Sequence, residues 1–161
     1  VHIVYRSRRY VTRYRPRMTY RHRELAEAFV RLAQVTAAAE LPVLRRHELE
    51  MWDYVVLGGL ADGPARTQAS LADAVGRDRT RLIPILDRLE ARGLVHRAPD
   101  PADRRNKIVR LSGSGREVLA ACRAGIGEVE AEQLAELDPG ERDAFRATLD
   151  RLADRLAGPR P

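Results

Sequence analysis

The segment from Thr67 to Arg116 constrains the fold of this chain most strongly, because signals that start and stop helices and strands follow one another there in a specific order. It reads TQASLADAVGRDRTRLIPILDRLEARGLVHRAPDPADRRNKIVRLSGSGR. A short helical stretch ends at Gly76, a second ends at Gly93, and two short apolar runs then flank the polar turn DPADRR. Helix, glycine turn, helix and β-hairpin in this order are the parts of a winged helix-turn-helix.

Single residues supply the start and stop signals of this segment. Thr67 and Asp78 each stand where an N-cap side chain would accept a hydrogen bond from an unpaired first-turn amide. Gly76 can take the left-handed conformation that ends a helix. In the second helix, the residues predicted to face inward are Leu82, Ile85, Leu86 and Leu89. The predicted strands of the hairpin are Leu94–Arg97 and Lys107–Leu111.

Two helices are predicted before this module. The apolar stripe of the first comprises Leu25, Phe29, Leu32, Val35 and Ala39, at steps of three and four residues. Leu41-Pro42 should end that helix, because proline disfavours the helical conformation of the residue before it. The second helix is predicted from about Arg45 to Ala61 and carries one apolar face: Leu49, Trp52, Val56 and Leu60.

Two more helices are predicted after the module. Ser112 or Ser114 can cap a long helix that runs to about Ala135, and the run DPGE at 138–141 starts the last one. These helices have apolar stripes without a place in a winged core, so we expect them to pack on a partner subunit. The predicted fold class is mainly α, with a small β-hairpin wing and N- and C-terminal dimerisation helices. The expected parts are a basic arm (1–23), an N-terminal dimerisation helix (24–43), the winged helix-turn-helix (44–111) and C-terminal dimerisation helices (112–161).

Charge is distributed unevenly along the chain. The net charge is +6, to which residues 1–23 contribute +8, residues 24–65 −4, residues 66–116 +6 and residues 117–161 −4. Positive charge concentrated on one region suits a polyanionic partner, although a solvated arginine-rich surface gives the same composition. Residues 1–17 show no helical period. They are expected to be either a flexible basic arm that adds phosphate contacts or a stretch upstream of a true start at Met18.

The start of the second helix carries candidate DNA-binding residues. A helix-turn-helix places the amino end of this helix nearest the bases in the major groove. Arginine can donate two hydrogen bonds to guanine, and threonine can touch a thymine methyl group or a phosphate. The candidates are Arg77, Arg79, Thr80 and Arg81. Pro84 has no amide for the carbonyl of Thr80 and is expected to kink the helix, at a cost of about 3 kcal/mol in a regular interior.

The wing tip supplies a second set of candidates, Arg104 and Arg105. An arginine on a hairpin tip can enter the narrow, electronegative minor groove of DNA. Asp103 cannot favour DNA by its charge, so its expected role is to brace the tip or a neighbouring arginine. The motif DPxD is also ordinary turn chemistry, and the two arginines that follow it are what favour DNA.

Several other functions lack their motifs. Cys122 is the only cysteine, which excludes an intramolecular disulfide and favours a reducing, cytoplasmic compartment. The four histidines are not in metal-ligand spacing with each other or with Cys122, and no cofactor is expected. A nucleophile elbow, a phosphate-cradling glycine loop and an HExxH motif are all missing, so an enzyme is not expected. No segment has the roughly 18 apolar residues of a membrane span.

With these parts in place, the chain resembles the multiple-antibiotic-resistance regulator (MarR) family from about Glu24 to Leu156. The motif that carries the resemblance is LDRLEARGLVHRAPDPADRRNKIVRLSGSGR. The resemblance implies an obligate homodimer built from the first and last helices, with two winged modules on a pseudo-palindromic site. It also implies repression of neighbouring genes that a small, often aromatic or phenolic, ligand relieves.

The resemblance also implies roles for single residues. Arg105 matches the family's minor-groove wing arginine, Asp103 its bracing acid, and Arg79 to Arg81 its base-reading segment. Most members carry a polar or basic residue in place of Pro84, so the sequence preference does not carry over. The ligand would lie between the dimerisation helices and the winged module, and the candidate lining residues are His47, Trp52, Asp53 and Tyr54.

Three alternatives stay open at this stage. A winged helix can serve protein interaction without reading DNA, but such a module has no need of arginines at both the helix start and the wing tip. A nonspecific architectural nucleic-acid binder would depend on the arginine-rich residues 1–17. A redox regulator would depend on Cys122, although a buried or idle cysteine inside a long helix is the commoner case.

Overall fold

The computed structural model describes residues 24–63 and 66–157, so the expectations for residues 1–17 lie outside the described residues. The chain divides into two units, residues 1–33 and residues 34–161. The elements in order are α1 (Leu25–Arg46), α2 (Met51–Ala61), β1 (Arg66–Thr67), α3 (Gln68–Ala74), α4 (Arg79–Ala91), β2 (Val95–Pro99), β3 (Lys107–Leu111), α5 (Gly113–Gln133) and α6 (Pro139–Ala157). This is the mainly helical winged fold that the sequence predicts.

The wing is a three-stranded antiparallel sheet in the order β1-β3-β2. In the hairpin, Val95 pairs with Leu111 and Pro99 with Lys107. The two-residue strand β1, which the sequence analysis missed, places Thr67 opposite Ile108. The core of the second unit lies between the helices and this sheet, and its fully buried large side chains include Leu44, Leu57, Leu71, Leu82, Leu86, Leu89, Val95 and Val109. The predicted inward face of α4 is therefore confirmed.

The predicted caps are present and explain where the helices begin. The hydroxyl of Thr67 accepts a hydrogen bond from the Ser70 amide at 3.1 Å. The carboxylate of Asp78 accepts from the Arg81 amide at 2.9 Å, which starts α4. Between these helices, Gly76 has a φ of 64°, the left-handed conformation predicted for the turn.

The sequence allows either Ser112 or Ser114 to cap α5, and in the structure the cap is Ser112. Its hydroxyl accepts from the Gly115 amide at 2.8 Å, whereas Ser114 donates to the carbonyl of Gly93. The last helix starts as the sequence predicts. Asp138 accepts from the Glu141 amide, and the Glu141 carboxylate accepts from the Asp138 amide in return.

The prediction that Leu41-Pro42 ends the first helix was wrong, because α1 continues to Arg46 with Pro42 inside it. Proline costs a helix about 3 kcal/mol. Val43 and Leu44, the residues after it, are 2% and 0% exposed, and burying each stabilises the fold by about 1.5–3 kcal/mol. A β-carbon on Gly125 of α5 would lie 2.8 Å from Val43, so the two helices meet closely here. Tertiary packing therefore offsets the local cost of the proline.

The second helix begins six residues later than predicted, at Met51 rather than near Arg45. A capping box sets this start, since the Glu50 amide donates to Asp53 at 2.8 Å and the Glu50 side chain accepts in return. The turn before it contains Glu48, which has a φ of 55° although it is not glycine. Such a conformation costs free energy and persists only where the surroundings hold it.

Helix α6 keeps its predicted apolar stripe on the surface. Phe145, Leu149, Leu152 and Leu156 are between 38% and 72% exposed. In the first unit, Leu25, Val30 and Leu32 of α1 are also more than half exposed. Among the described residues, no helix is both long and apolar enough to cross a membrane.

Candidate nucleic-acid interface

The amino end of α4 presents three of the four candidate helix residues to solvent. Arg79, Thr80 and Arg81 are exposed. The Nε atom of Arg81 lies 3.2 Å from an oxygen of Asp78, and more than half of each side chain is exposed. An ion pair this exposed contributes little to stability. Arg81 can therefore exchange the carboxylate for a phosphate or a base at small cost.

Pro84 lies inside α4 without ending it. The helix continues to Ala91, and Pro84 itself is exposed. Since proline has no amide, Pro84 cannot donate the usual helical hydrogen bond to the carbonyl of Thr80. A bend here stays a prediction.

The wing tip brings Asp103 and Arg105 together, the contact that the bracing prediction requires. The carboxylate of Asp103 accepts from the backbone amide and from the Nε of Arg105, each at 3.1 Å, and from the side chain of Asn106. The hydrogen bond from the Arg105 side chain is the main cause that lowers the pKa of Asp103. Arg104 is exposed, and the Arg105 side chain is 91% exposed. The tip thus offers two solvated guanidinium groups on an ordered turn.

Arg97 joins the wing to the recognition helix α4. It lies on β2, is only 12% exposed, and forms ion pairs with Asp87 and Glu90 of α4. Its Nε donates to Glu90 at 2.9 Å, and this bonding is the leading cause that lowers the pKa of Glu90. An almost buried charge with two acidic partners holds the strand at a set position on the helix, so the wing and α4 keep one relative orientation.

The carboxyl end of α4 is tied to the start of α2. Arg88 donates to Asp53 at 2.6 Å and lies 3.3 Å from Glu50. One turn later, Arg92 donates to the backbone carbonyls of Glu48 at 2.6 Å and His47 at 2.9 Å. These contacts satisfy the carbonyls of the turn in which Glu48 has its positive φ.

Sequence reasoning missed these three arginines as positioning residues. Arg88 and Arg92 are four residues apart, so they share one face of the helix, which is a signal that the sequence does contain. Arg97, however, meets its partners only because β2 folds back onto α4. That contact has no periodic signature in the sequence.

Arg77 differs from the other candidate DNA-binding residues. It is half-buried, and the carbon at the centre of its guanidinium lies 3.6 Å from the centre of the Trp52 ring. This distance is within the range of a cation–π interaction. The structure therefore brings Arg77 to α2, while Arg79 and Arg81 extend into solvent.

The four candidate ligand residues do not form one cluster open to solvent. Asp53 is 1% exposed and accepts a hydrogen bond from Arg88, so its carboxylate takes part in the contact between α2 and α4. That it also lines a ligand site stays a prediction. Trp52 carries Arg77 on its ring. His47 is half-buried in the turn before α2.

Tyr54 lies in a polar group where α1, α2 and α5 meet. Burial raises the pKa of its phenol, against the opposing effect of the neighbouring Arg123. Glu40 also lies near Tyr54. Burial, followed by repulsion from Glu130, raises the pKa of the Glu40 carboxyl. A separate depression of about 370 Å³ lies on the wing and is lined by His96, Ala98, Pro99, Pro101, Ile108, Arg110 and Leu111, none of them a ligand candidate.

Cys122 is buried in α5, and burial raises the pKa of its thiol. A thiol of this kind is a poor nucleophile, because the thiolate is the reactive form. Within the described ranges, no group of three or more His, Cys, Asp or Glu side chains could hold a metal ion.

A capped recognition helix, a wing braced on it and exposed arginines on both define a winged helix-turn-helix of the DNA-binding class. A profile described as "MarR family" matches residues 49–107. The transcriptional regulator HosA of Escherichia coli O111:H- is 36% identical over 113 residues, which cover 70% of this chain and 80% of that protein. The chain therefore belongs to the MarR family of transcriptional regulators.

Two solved structures extend this comparison. The transcriptional repressor CouR, bound to a 23-mer DNA duplex, has a TM-score of 0.72 and 30% identity, covering 80% of this chain and 92% of that one. BpsR of Bordetella bronchiseptica, whose DNA binding is regulated by 6-hydroxynicotinic acid, has a TM-score of 0.69 and 26% identity. That match covers 81% of this chain and 94% of BpsR.

Proposed function

We propose that this protein is a repressor that binds a pseudo-palindromic operator as a homodimer and is released by a small aromatic ligand. The observation that carries the proposal is the pair of exposed arginine sets, at the start of α4 and at the tip of the wing, held on one braced module. Helix residues read the major groove, and a wing arginine enters the flanking minor groove. The DNA-bound state of the relative CouR supports the same use of the fold.

The homodimer rests on the apolar side chains that α6 leaves exposed. Phe145, Leu149, Leu152 and Leu156 follow one another at steps of three and four residues along one helix face. A contiguous exposed apolar surface of this kind marks an interaction site. A second copy of the chain is the partner that fits, because a two-fold dimer gives two reading modules for two half-sites about one helical turn apart.

We place the proposed effector site at Tyr54 with Arg123 and Glu40. A phenol, a guanidinium and a carboxyl at a half-buried junction can orient an aromatic acid such as 6-hydroxynicotinic acid. The ligand would act by preferring a dimer geometry in which the half-site spacing no longer matches DNA. Titrating 6-hydroxynicotinic acid into the DNA complex tests this placement, and Tyr54→Phe and Arg123→Gln should each weaken the release of DNA.

Selection of duplex DNA from a random library by the purified protein tests the central proposal. We expect enrichment of an inverted repeat whose half-site centres are about ten base pairs apart. Salt-sensitive binding without an enriched motif would indicate a nonspecific architectural binder. No binding at all would indicate a protein-interaction module.

Arg105→Ala tests the wing separately. We expect operator affinity to fall by about tenfold, since each charge-assisted contact is worth about 1.5–3 kcal/mol in favourable cases, while the dimer stays intact in analytical ultracentrifugation. Arg151→Ala, which removes an exposed arginine of α6, is the matched control. Unchanged affinity in Arg105→Ala would remove the wing from the mechanism.

A further inference from the structure

The contact between Arg77 and Trp52 joins the turn of the helix-turn-helix to α2. Arg77 directly precedes Asp78, the N-cap of the recognition helix. Its guanidinium carbon lies 3.6 Å from the centre of the Trp52 ring, so the charged group rests on the aromatic face. Trp52 in turn is half-buried and packs against the core.

The guanidinium of Arg77 lacks the acidic partner that Arg81 and Arg105 have. Its Nε atom is buried without a hydrogen-bond partner, and Arg77 forms no ion pair with a carboxylate in the described part of the chain. Arg81 and Arg105, by contrast, each have an aspartate within 3.2 Å. Because Nε is buried, an anion that arrives from outside would contact the terminal nitrogens of the half-buried guanidinium, which have no hydrogen bond among the described residues.

The position of Arg77 selects the anion. The amino end of a recognition helix lies beside the DNA backbone, where its first amides already favour a phosphate. A guanidinium presents its donors in a planar fork that matches phosphate oxygens. Any carboxylate ligand would have to compete there with duplex DNA for the same donors.

We propose that Arg77 binds a backbone phosphate of DNA and that Trp52 is the positioning residue that holds its guanidinium for that contact. The inference rests on the proposed function and deepens it, because it gives Trp52 a role in DNA binding instead of the ligand-lining role expected from the sequence. An arginine side chain carries about 2 kcal/mol of rotamer entropy. Stacking on the ring restricts these rotamers before DNA arrives, so less entropy is lost on binding.

The first test compares Arg77→Gln with Arg151→Gln, which removes the same charge from the exposed surface of α6. The probe is a fluorescein-labelled duplex of random sequence about 30 base pairs long, enough for two half-sites one helical turn apart. Arg77→Gln should lower affinity by about tenfold and reduce the slope of log K against log salt by about 0.9 for each lost phosphate contact, or about 2 for a dimer. Arg151→Gln should leave both quantities unchanged.

The second test is a double-mutant cycle that separates positioning from folding. Trp52→Phe keeps an aromatic face, and Trp52→Leu keeps only apolar volume. In the wild-type background, Trp52→Leu should weaken DNA binding by about threefold or more, and Trp52→Phe should weaken it less. In the Arg77→Gln background, Trp52→Leu should cause no further loss of affinity. Equal weakening of DNA binding by Trp52→Leu in both backgrounds would overturn the positioning role, because a structural defect does not depend on Arg77.

The emission of Trp52 gives a direct signature, since it is the only tryptophan in the chain. Duplex binding should change this emission in the wild-type protein and should not do so in Arg77→Gln. Unchanged affinity and salt slope in Arg77→Gln would overturn the inference while leaving the proposed function intact. Failure of the wild-type protein to bind any duplex would overturn both.

Discussion

Asp53→Asn is the change that tests most directly how the recognition helix is held. Asp53 is 1% exposed, lies 2.6 Å from Arg88 of α4, and accepts the Glu50 amide at 2.8 Å. Asparagine keeps the shape and an acceptor for the Glu50 amide, so the substitution removes mainly the charge that pairs with Arg88. If Asp53 instead lined a ligand site, the same substitution would leave stability nearly unchanged.

The magnitude follows from the exposure of the two partners. Removing one member of a fully buried ion pair costs about 3–5 kcal/mol, because the other charge stays in a poor solvent. The Arg88 side chain is 40% exposed and can recover much of its hydration, so we expect about 2 kcal/mol for Asp53→Asn. Asp53→Ala also removes a helix cap worth about 1 kcal/mol, for a total near 3 kcal/mol.

Urea unfolding followed by circular dichroism, at a fixed protein concentration, measures these differences. In thermal unfolding of a chain of this size, a loss of about 2 kcal/mol corresponds to a fall in Tm of roughly 4–8 °C. The cycle with Arg88→Met should give a coupling of at least about 1 kcal/mol between the two positions. A loss below about 0.5 kcal/mol in Asp53→Asn, or additive losses in the cycle, would refute the reasoning.

Three further predictions concern titratable groups. Burial and repulsion from Glu130 raise the pKa of Glu40, so the ionised carboxylate destabilises the folded state. Glu40→Gln should therefore raise Tm at neutral pH. This gain in Tm should vanish as the pH falls through the raised pKa of Glu40. Arg97 lowers the pKa of Glu90, so the ionised Glu90 carboxylate stabilises the folded state at neutral pH. Glu90→Gln should therefore destabilise the protein at neutral pH, and this difference should disappear as the pH falls below the ordinary value of 4.5. Urea titrations across pH measure it. The buried thiol of Cys122 should react with Ellman's reagent only as fast as the protein unfolds; rapid reaction of the native protein would revive the redox alternative.

Residues whose effect is local were predictable from the sequence. Thr67 and Asp78 cap their helices, and Gly76 has a positive φ, because each effect depends on an interaction within a few residues of the chain. The inward face of α4 follows from helical period alone. The contact of Asp103 with Arg105 also spans two residues, which is why turn chemistry at the wing tip was visible in advance.

Contacts between distant parts of the chain depend on packing. Pro42 stays inside α1 because Val43 and Leu44 are buried against the rest of the core. Local helix propensities do not include the free energy of that burial. Asp53 pairs with Arg88, 35 positions later in the chain, only because the fold brings α2 and α4 together.

The class of protein was predictable from the sequence, because the order of helix, turn, helix and wing and the two arginine sets depend on interactions between residues close together in the chain. Which charged residues face outward and which hold the fold together became visible only in the folded chain. Arg79 and Arg81 look like Arg88 and Arg97 in a sequence, but the last two are paired with acids across elements. The physical reason is that a charge is inexpensive in water and costly in a protein interior, so its role depends on burial and partners that only the folded chain supplies.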